Sequence, residues 1–473
     1  MRLNMIWLAF LLPVISLSAQ NCACSEELHY VTGYYEANLP GFKDNVNNRN
    51  QAGYDAMKKQ LFEAARQAAD KSECFKVLTY YVEFFKDNHS HISMEYPVVN
   101  DQNPELVKEF LNSPLFLNRE KISLGKIEQK PLEDIEGIYQ TQDSAYTIAI
   151  VPSKKGLRDY AGVILESKTP LWVPGQVKME LKRKSDKVFE VFLYMRNHSL
   201  NFVPQMELKE GRLGDNWFKT SLKTRNSYNL NLSNELEFRE IDAETNYMRI
   251  PSFSGHLTAR MDDFYNRYDS LIRSKPYLII DVRNNGGGSD RNVNPLLPYL
   301  YTGPFKDDVV DIYVTKDNIA VFEQWYAGRL RDTVNFDSLS TRYMRYEIDE
   351  MKKLPQQSFM QRGSSSRIKL DRVLAKPSKI AIMVNKHCAS SCETLLFWAK
   401  KSKKTILVGE NSGGYVGYGE IGGVKTPCYK YTLGCTMTRY RKQRKYEVVG
   451  VAPDYRLDNQ TDWLTQTLKL VKE

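Results

Sequence analysis

The 473-residue sequence predicts a multidomain α+β protein. Changes in the spacing of apolar residues carry that prediction. Helical spacing dominates residues 21–125, strand-like alternation dominates 130–235, and buried apolar runs separated by helical stretches dominate 236–473. Hydrophobic residues make up 42% and charged residues 26%, which excludes a disordered chain.

Residues 1–20 hold one early arginine, an apolar run from Met5 to Leu17 and small residues before Gln20. That pattern predicts a cleaved export signal and a periplasmic or extracellular protein. The residues before Cys22 fit a lipid-attachment signal poorly, so lipid anchoring is the weaker expectation. No other apolar run reaches the roughly 20 residues that span a bilayer. Seven cysteines in an exported chain permit disulfides, and the odd count leaves at least one thiol without an intramolecular partner. Cys428 and Cys435 flank a short hairpin pattern and are one candidate pair.

In the helical region, residues 50–70 and 74–88 carry apolar residues three and four apart, and the second run ends in the polar break Asp87-Asn88-His89-Ser90-His91. Between 130 and 235, short alternating runs separated by turn residues predict a small antiparallel barrel or sandwich. Residues 143–167 read as one of its hairpins. From 236 onward, residues 245–253 read as a strand, 277–282 and 379–385 as strands buried on both faces, and 405–410 as another. Helices between them imply a parallel sheet with right-handed crossovers. Residues 307–363 read as a polar, helix-leaning insertion.

Several patterns point to chemistry that their context does not support. The formal charge of +9 and the basic clusters Lys400–Lys404 and Arg439–Lys445 come without a nucleic-acid-binding motif and read as a solvated face. Gly417–Gly422 matches a dinucleotide fingerprint by letter but lacks the strand and helix that the fingerprint needs, and reads as a flexible loop. His89 and His91 lack a third zinc ligand at sensible spacing. His387 beside Cys388 has no arguable role.

Two features remain. Gly286, Gly287 and Gly288 follow the strand 277–282, at the carboxyl end where open α/β sheets bind ligands. Ser390 and Ser391 follow the strand 379–385 and open a helix, where free N–H groups favour an oxyanion. By local pattern either serine also suits a simple helix cap, with Glu393 completing a capping box.

The segments 277–288, 381–414 and 446–454, in that order, resemble the carboxyl-terminal processing (tail-specific) serine peptidases and their tricorn-like relatives. The resemblance covers about 246–456 plus residues 83–92. It implies an α/β peptidase core of the ClpP/crotonase-like kind over 236–473, preceded by a helical region (21–125) carrying a histidine. It places the nucleophile at Ser390 and oxyanion N–H donors at Ser391 and Gly287, with Gly286 and Gly288 close behind. The bacterial branch's lysine would fall at Tyr415, so a Ser-Lys dyad is absent. The tricorn-like branch's histidine maps to His89, with His91 the fallback, and its glutamate to Glu447. The expected activity is hydrolysis of unfolded or extended polypeptides through a Ser-His-Glu triad, with no metal or organic cofactor and no nucleic-acid partner. Residues 130–235 lack the glycine-rich loop of the PDZ domain many relatives carry and look lipocalin-like. The missing lysine and this insert support an alternative, an inactive peptide- or ligand-binding protein on a peptidase scaffold.

Overall fold

The computed structural model describes residues 22–128, 130–222, 232–332, 336, 338–362, 367–458 and 461–473. The expected export signal lies outside them. Three long helices, Cys24–Asn38, Gln51–Gln67 and Lys71–Glu83, come first among the described residues, with the single turn Phe42–Asn45 between the first two. The Asp70 carboxylate caps the third, accepting from Ser72 N and Glu73 N at 2.8 and 2.9 Å. Their apolar faces meet through Leu28, Val31 and Tyr35 of the first, Tyr54 and Leu61 of the second, and Leu78 and Tyr81 of the third, all buried. The same cluster takes in Tyr431, Leu433 and Cys435 from the far end of the sequence, so the helices pack directly on the C-terminal part of the chain. Disulfides Cys24–Cys74 and Cys22–Cys428 reinforce this packing. The expected Cys428–Cys435 pair does not form. Cys435 is buried on the strand Thr432–Tyr440, while the turn carrying Cys428 faces the start of the first helix.

Eight strands from Gly137–Thr141 to Trp217–Lys219 close into an antiparallel barrel. The hairpin read at 143–167 forms, with Lys155 opposite Arg158 across a turn that needs Gly156 at φ +59°. Ile148, Ile150, Val163, Met179, Leu181, Phe189 and Val191 are fully buried and fill the interior, as small barrels require. Lys76 of the third helix reaches into the barrel wall, where its Nζ lies 2.7 Å from Glu180 Oε1. The Tyr194 hydroxyl donates to the same oxygen at 2.6 Å.

A six-stranded sheet follows, in the order Glu237–Glu240, Thr245–Arg249, Tyr277–Asp281, Lys379–Val384, Thr405–Gly409 and Tyr455–Arg456. All pairings after the first are parallel. Its central strands are continuous apolar runs because helices cover both faces.

The second sheet departs from the sequence expectation. The region read as a helix-leaning insertion contains two helices, Lys316–Arg331 and Ser338–Met351, bracketed by the strands Val310–Val314 and Ser358–Arg362. Those strands pair with each other, and Val310–Val314 also pairs with Thr432–Tyr440. Gly417–Gly422 is likewise no flexible loop. Gly417 lies just before the strand Tyr418–Lys425, and the rest of the motif lies on that strand, which runs antiparallel to Thr432–Tyr440. The strand His91–Ser93 adds to the other edge of Thr432–Tyr440, with His91 opposite Gly434. This pairing brings His89 and His91 to the second sheet.

Candidate active site

Ser390 lies between the strand Lys379–Val384 and the helix Ser391–Ala399. Its backbone sits at φ 55°, ψ −122°, a conformation that costs a non-glycine residue energy and persists only where neighbours enforce it. The neighbours are identifiable. Ala389 N–H donates to Asn285 O at 3.0 Å, and Gly413 N–H to Cys388 O at 2.7 Å. Ser390 N–H donates to Glu393 Oε2 at 3.0 Å.

Glu393 does more than complete a helix cap. Its carboxylate is fully buried and takes four donors: Ser390 N–H, Tyr415 N–H at 2.8 Å, Gly414 N–H at 2.9 Å and the Ser412 hydroxyl at 2.5 Å. Burial pushes its pKa up, against those hydrogen bonds. One side chain thus bolts the backbone of Ser390 to the loop 412–415.

The glycine loop lies directly against Ser390. Gly287 has φ +89°, and a Cβ there would come 2.4 Å from Ala389 O and 2.8 Å from Ser390 Cβ. Only glycine fits. Gly287 N–H donates to Asn285 Oδ1 at 2.9 Å, so the amide expected to face an oxyanion is engaged. Phe253 N–H donates to Gly287 O, and Ser289 N–H to Phe253 O, leaving Gly288 between these anchors. Among the described residues no hydrogen bond engages the N–H of Gly288 or of Ser391, the first residue of its helix.

His89 lies in the turn after the third helix. Asp87 builds that turn, accepting from His89 N–H and Ser90 N–H at 3.1 and 3.2 Å and from the Ser90 and Thr436 hydroxyls at 2.8 and 2.6 Å. The His89 Nδ1 is buried and, among the described residues, has no hydrogen-bond partner. Burial lowers the imidazole pKa, and Asp87 partly offsets that effect. His91 is exposed, with Nδ1 2.9 Å from His89 O.

Glu447 follows a short 3-10 turn, Gln443–Tyr446. Oε1 accepts from Asn88 N–H at 2.8 Å, and Oε2 accepts from Val416 N–H at 2.9 Å and Gly417 N–H at 2.5 Å. Both oxygens are therefore taken by main chain, and neither bonds to the His89 ring. Burial, with the charge of Asp87, pushes its pKa up to about 8.

Ser390, Ser391, His89 and His91 all line one cleft of about 1540 Å3, together with Tyr415. Ser390 Oγ is hydrogen-bonded to neither imidazole, a looseness common before substrate binds. The barrel supplies part of the cleft wall through Arg212, Asp215 and Asn216. Asp215 binds Lys386 Nζ at 2.7 Å and His387 Nε2 at 3.2 Å, so His387 has a place after all, in a bridge to the barrel. Burial raises the Asp215 pKa, but these two partners outweigh it and hold the group at about 2.

Sequence reading missed the loop-holding role of Glu393, the turn built by Asp87 and the Asn285 anchor. Only Glu393 carried a signal, as part of a capping-box pattern. Among the described residues, no group of three or more histidine, cysteine or acidic side chains is arranged to hold a metal ion. Within the same residues, no helix is long and apolar enough to cross a membrane.

Residues 244–457 match the sequence model of peptidase family S41. No curated protein sequence matches the chain. Among solved structures, mature CPAF superimposes with a TM-score of 0.50 at 13% identity, covering 95% of this chain and 97% of that one. The photosystem II D1 C-terminal processing protease gives 0.35 at 13% identity, covering 96% and 98%. The CPAF likeness is one of overall fold.

Proposed function

We propose, from the premise that this chain carries a serine-type peptidase domain of family S41, that it hydrolyses peptide bonds with Ser390 as nucleophile and His89 as base. The observation that supports this best is the strained backbone at Ser390, held by Glu393 at the mouth of a helix and facing one cleft with His89. A hydroxyl is a weak nucleophile and needs a base. His89, kept neutral by burial, takes the Ser390 proton as Oγ attacks the carbonyl carbon. The oxyanion is held by Ser391 N–H and by an N–H of the 286–288 loop. Gly288 is preferred there, because Gly287 N–H is engaged by Asn285. The imidazolium gives its proton to the leaving amine, and water then hydrolyses the acyl-enzyme by the same route in reverse.

Glu447 enters differently from an acid bonded to an imidazole. It acts through main chain, fixing Asn88 next to His89 and the loop 416–417 together. The cleft lies between the barrel and the peptidase sheets, which favours extended or unfolded polypeptides over folded ones. The two disulfides support the export that residues 1–20 suggest.

A second reading, peptide binding without hydrolysis, is favoured by the unpartnered His89 Nδ1 and by the engagement of Glu447 elsewhere. Incubation with a reduced, carboxymethylated protein separates the two. The peptidase reading expects fragments from wild type and none from Ser390→Ala. Intact substrate after prolonged incubation with wild type would favour the binding reading.

A further inference from the structure

The site leaves one physical question open. A histidine base must be held in one orientation, yet among the described residues no carboxylate bonds to the His89 ring. The groups that face it are few. On its own turn, Asp87 spends its oxygens on backbone N–H groups and hydroxyls. His91, on the adjoining strand, bonds to the His89 carbonyl rather than to its ring. Glu447 stops at the Asn88 N–H. From the strand Tyr418–Lys425 the Tyr418 carbonyl is within reach of the imidazole. From the loop 412–417, Tyr415 packs its ring edge-on against His89, with centroids 5.5 Å apart and planes at 87°.

The backbone under Tyr415 is unusually well fixed. Its N–H is held by Glu393 Oε2, the oxygen that also holds Ser390 N–H. The next two N–H groups, of Val416 and Gly417, are held by Glu447, whose other oxygen holds Asn88 N–H. Two carboxylates, the buried Glu393 and the half-buried Glu447, therefore lock the Tyr415 backbone to the backbone of the nucleophile on one side and of the histidine turn on the other. The ring also lines the cleft beside the imidazole. In the tail-specific pattern, this position belongs to lysine.

We propose that Tyr415 is the positioning residue for His89, fixing the imidazole by an aromatic edge where other Ser-His sites use a carboxylate. Its consequence for hydrolysis rests on the reading of His89 as base, but the contact itself does not. The ring is what matters, so Tyr415→Phe keeps the function. Tyr415→Ala removes the packing and widens the cleft beside the imidazole.

The test follows the His89 Cε1–H signal by NMR across pH in the full chain, with His89→Gln used for assignment. Wild type and Tyr415→Phe are expected to titrate together, below the ordinary histidine range. Tyr415→Ala and Tyr415→Leu are expected to move the midpoint up towards about 6.5. In peptide hydrolysis the same two variants are expected to lose roughly 10- to 100-fold in kcat with KM little changed, as for a misplaced catalytic group. An unshifted midpoint in both Tyr415→Ala and Tyr415→Leu would overturn the proposal. So would a Tyr415→Phe variant as impaired as Tyr415→Ala, since that would assign the role to the hydroxyl. The titration needs no turnover, so it decides the proposal even if wild type hydrolyses nothing, a result that refutes only the peptidase reading.

Discussion

Replacing Glu393 by glutamine is the sharpest perturbation of the scaffold around Ser390. The shape is kept, but an oxygen that accepts hydrogen bonds becomes an NH2 that donates them. The wild-type carboxylate is fully buried and holds four donors, two on each oxygen. Either amide orientation leaves two of them facing a donor. At about 1–3 kcal/mol for each buried group left unsatisfied, the loss is roughly 2–6 kcal/mol. For a domain of this size, 3 kcal/mol lowers Tm by roughly 6–12 °C. If the NH2 falls at Oε2, the displaced donors are Ser390 N–H and Tyr415 N–H, so the nucleophile moves as well. Thermal unfolding by circular dichroism reads the first effect, and the rate of fluorophosphonate labelling, taken well below the variant's Tm, reads the second. A Tm within about 2 °C of wild type, combined with an unchanged labelling rate, would refute the claim that Glu393 holds Ser390 in place.

Other expectations follow from the same contacts. Gly287→Ala places a Cβ 2.4 Å from a backbone oxygen at φ +89°, costing roughly 1–2 kcal/mol from backbone conformation alone, and is expected to slow labelling at least about tenfold in a protein that still folds. Because burial lowers the His89 pKa, the neutral base persists below the ordinary histidine range, and kcat/KM is expected to hold through pH 6.5 and fall only on further acidification. A fall already half complete at 6.5 would contradict that. Burial of Glu447 raises its pKa from 4.5 to about 8, so its contribution to stability is full below 4.5 and is lost as pH rises through 8. Tm is expected to decline over that interval, and the decline to shrink in Glu447→Gln. Cys24→Ser is expected to cost about 4 kcal/mol, since the Cys24–Cys74 bridge closes a loop of 50 residues. An unchanged urea midpoint would contradict it.

What the sequence disclosed and what it hid differ by the distance over which each feature is encoded. The barrel hairpins were legible because alternation and a Gly156 turn lie within a few residues of each other. The buried strands 277–282 and 379–385 were legible because burial on both faces writes a continuous apolar run. The strands Val310–Val314 and Ser358–Arg362 were not, because the first finds its inner partner in Thr432–Tyr440, more than a hundred residues away. Ser390, His89 and Glu447 were reached through the ordered motifs of a family; Ser390 and His89 line one cleft, whereas Glu447 lies behind it, on the main chain of Asn88, Val416 and Gly417. How Glu447 acts was hidden, because its hydrogen bond to Asn88 spans 359 residues and involves main chain, which leaves no mark on residue type. The Cys22–Cys428 bridge, spanning 406 residues, was hidden for the same reason.

The central claim is that Ser390 is a nucleophile activated by His89. Treating the folded protein with a fluorophosphonate and mapping the adduct by peptide mass spectrometry tests it most directly. The account predicts a single adduct on Ser390 in wild type, none in Ser390→Ala, and a rate lowered by about 10²-fold or more in His89→Ala. An unlabelled wild type, an adduct on Ser391 instead, or a His89→Ala variant that labels at the wild-type rate would contradict it.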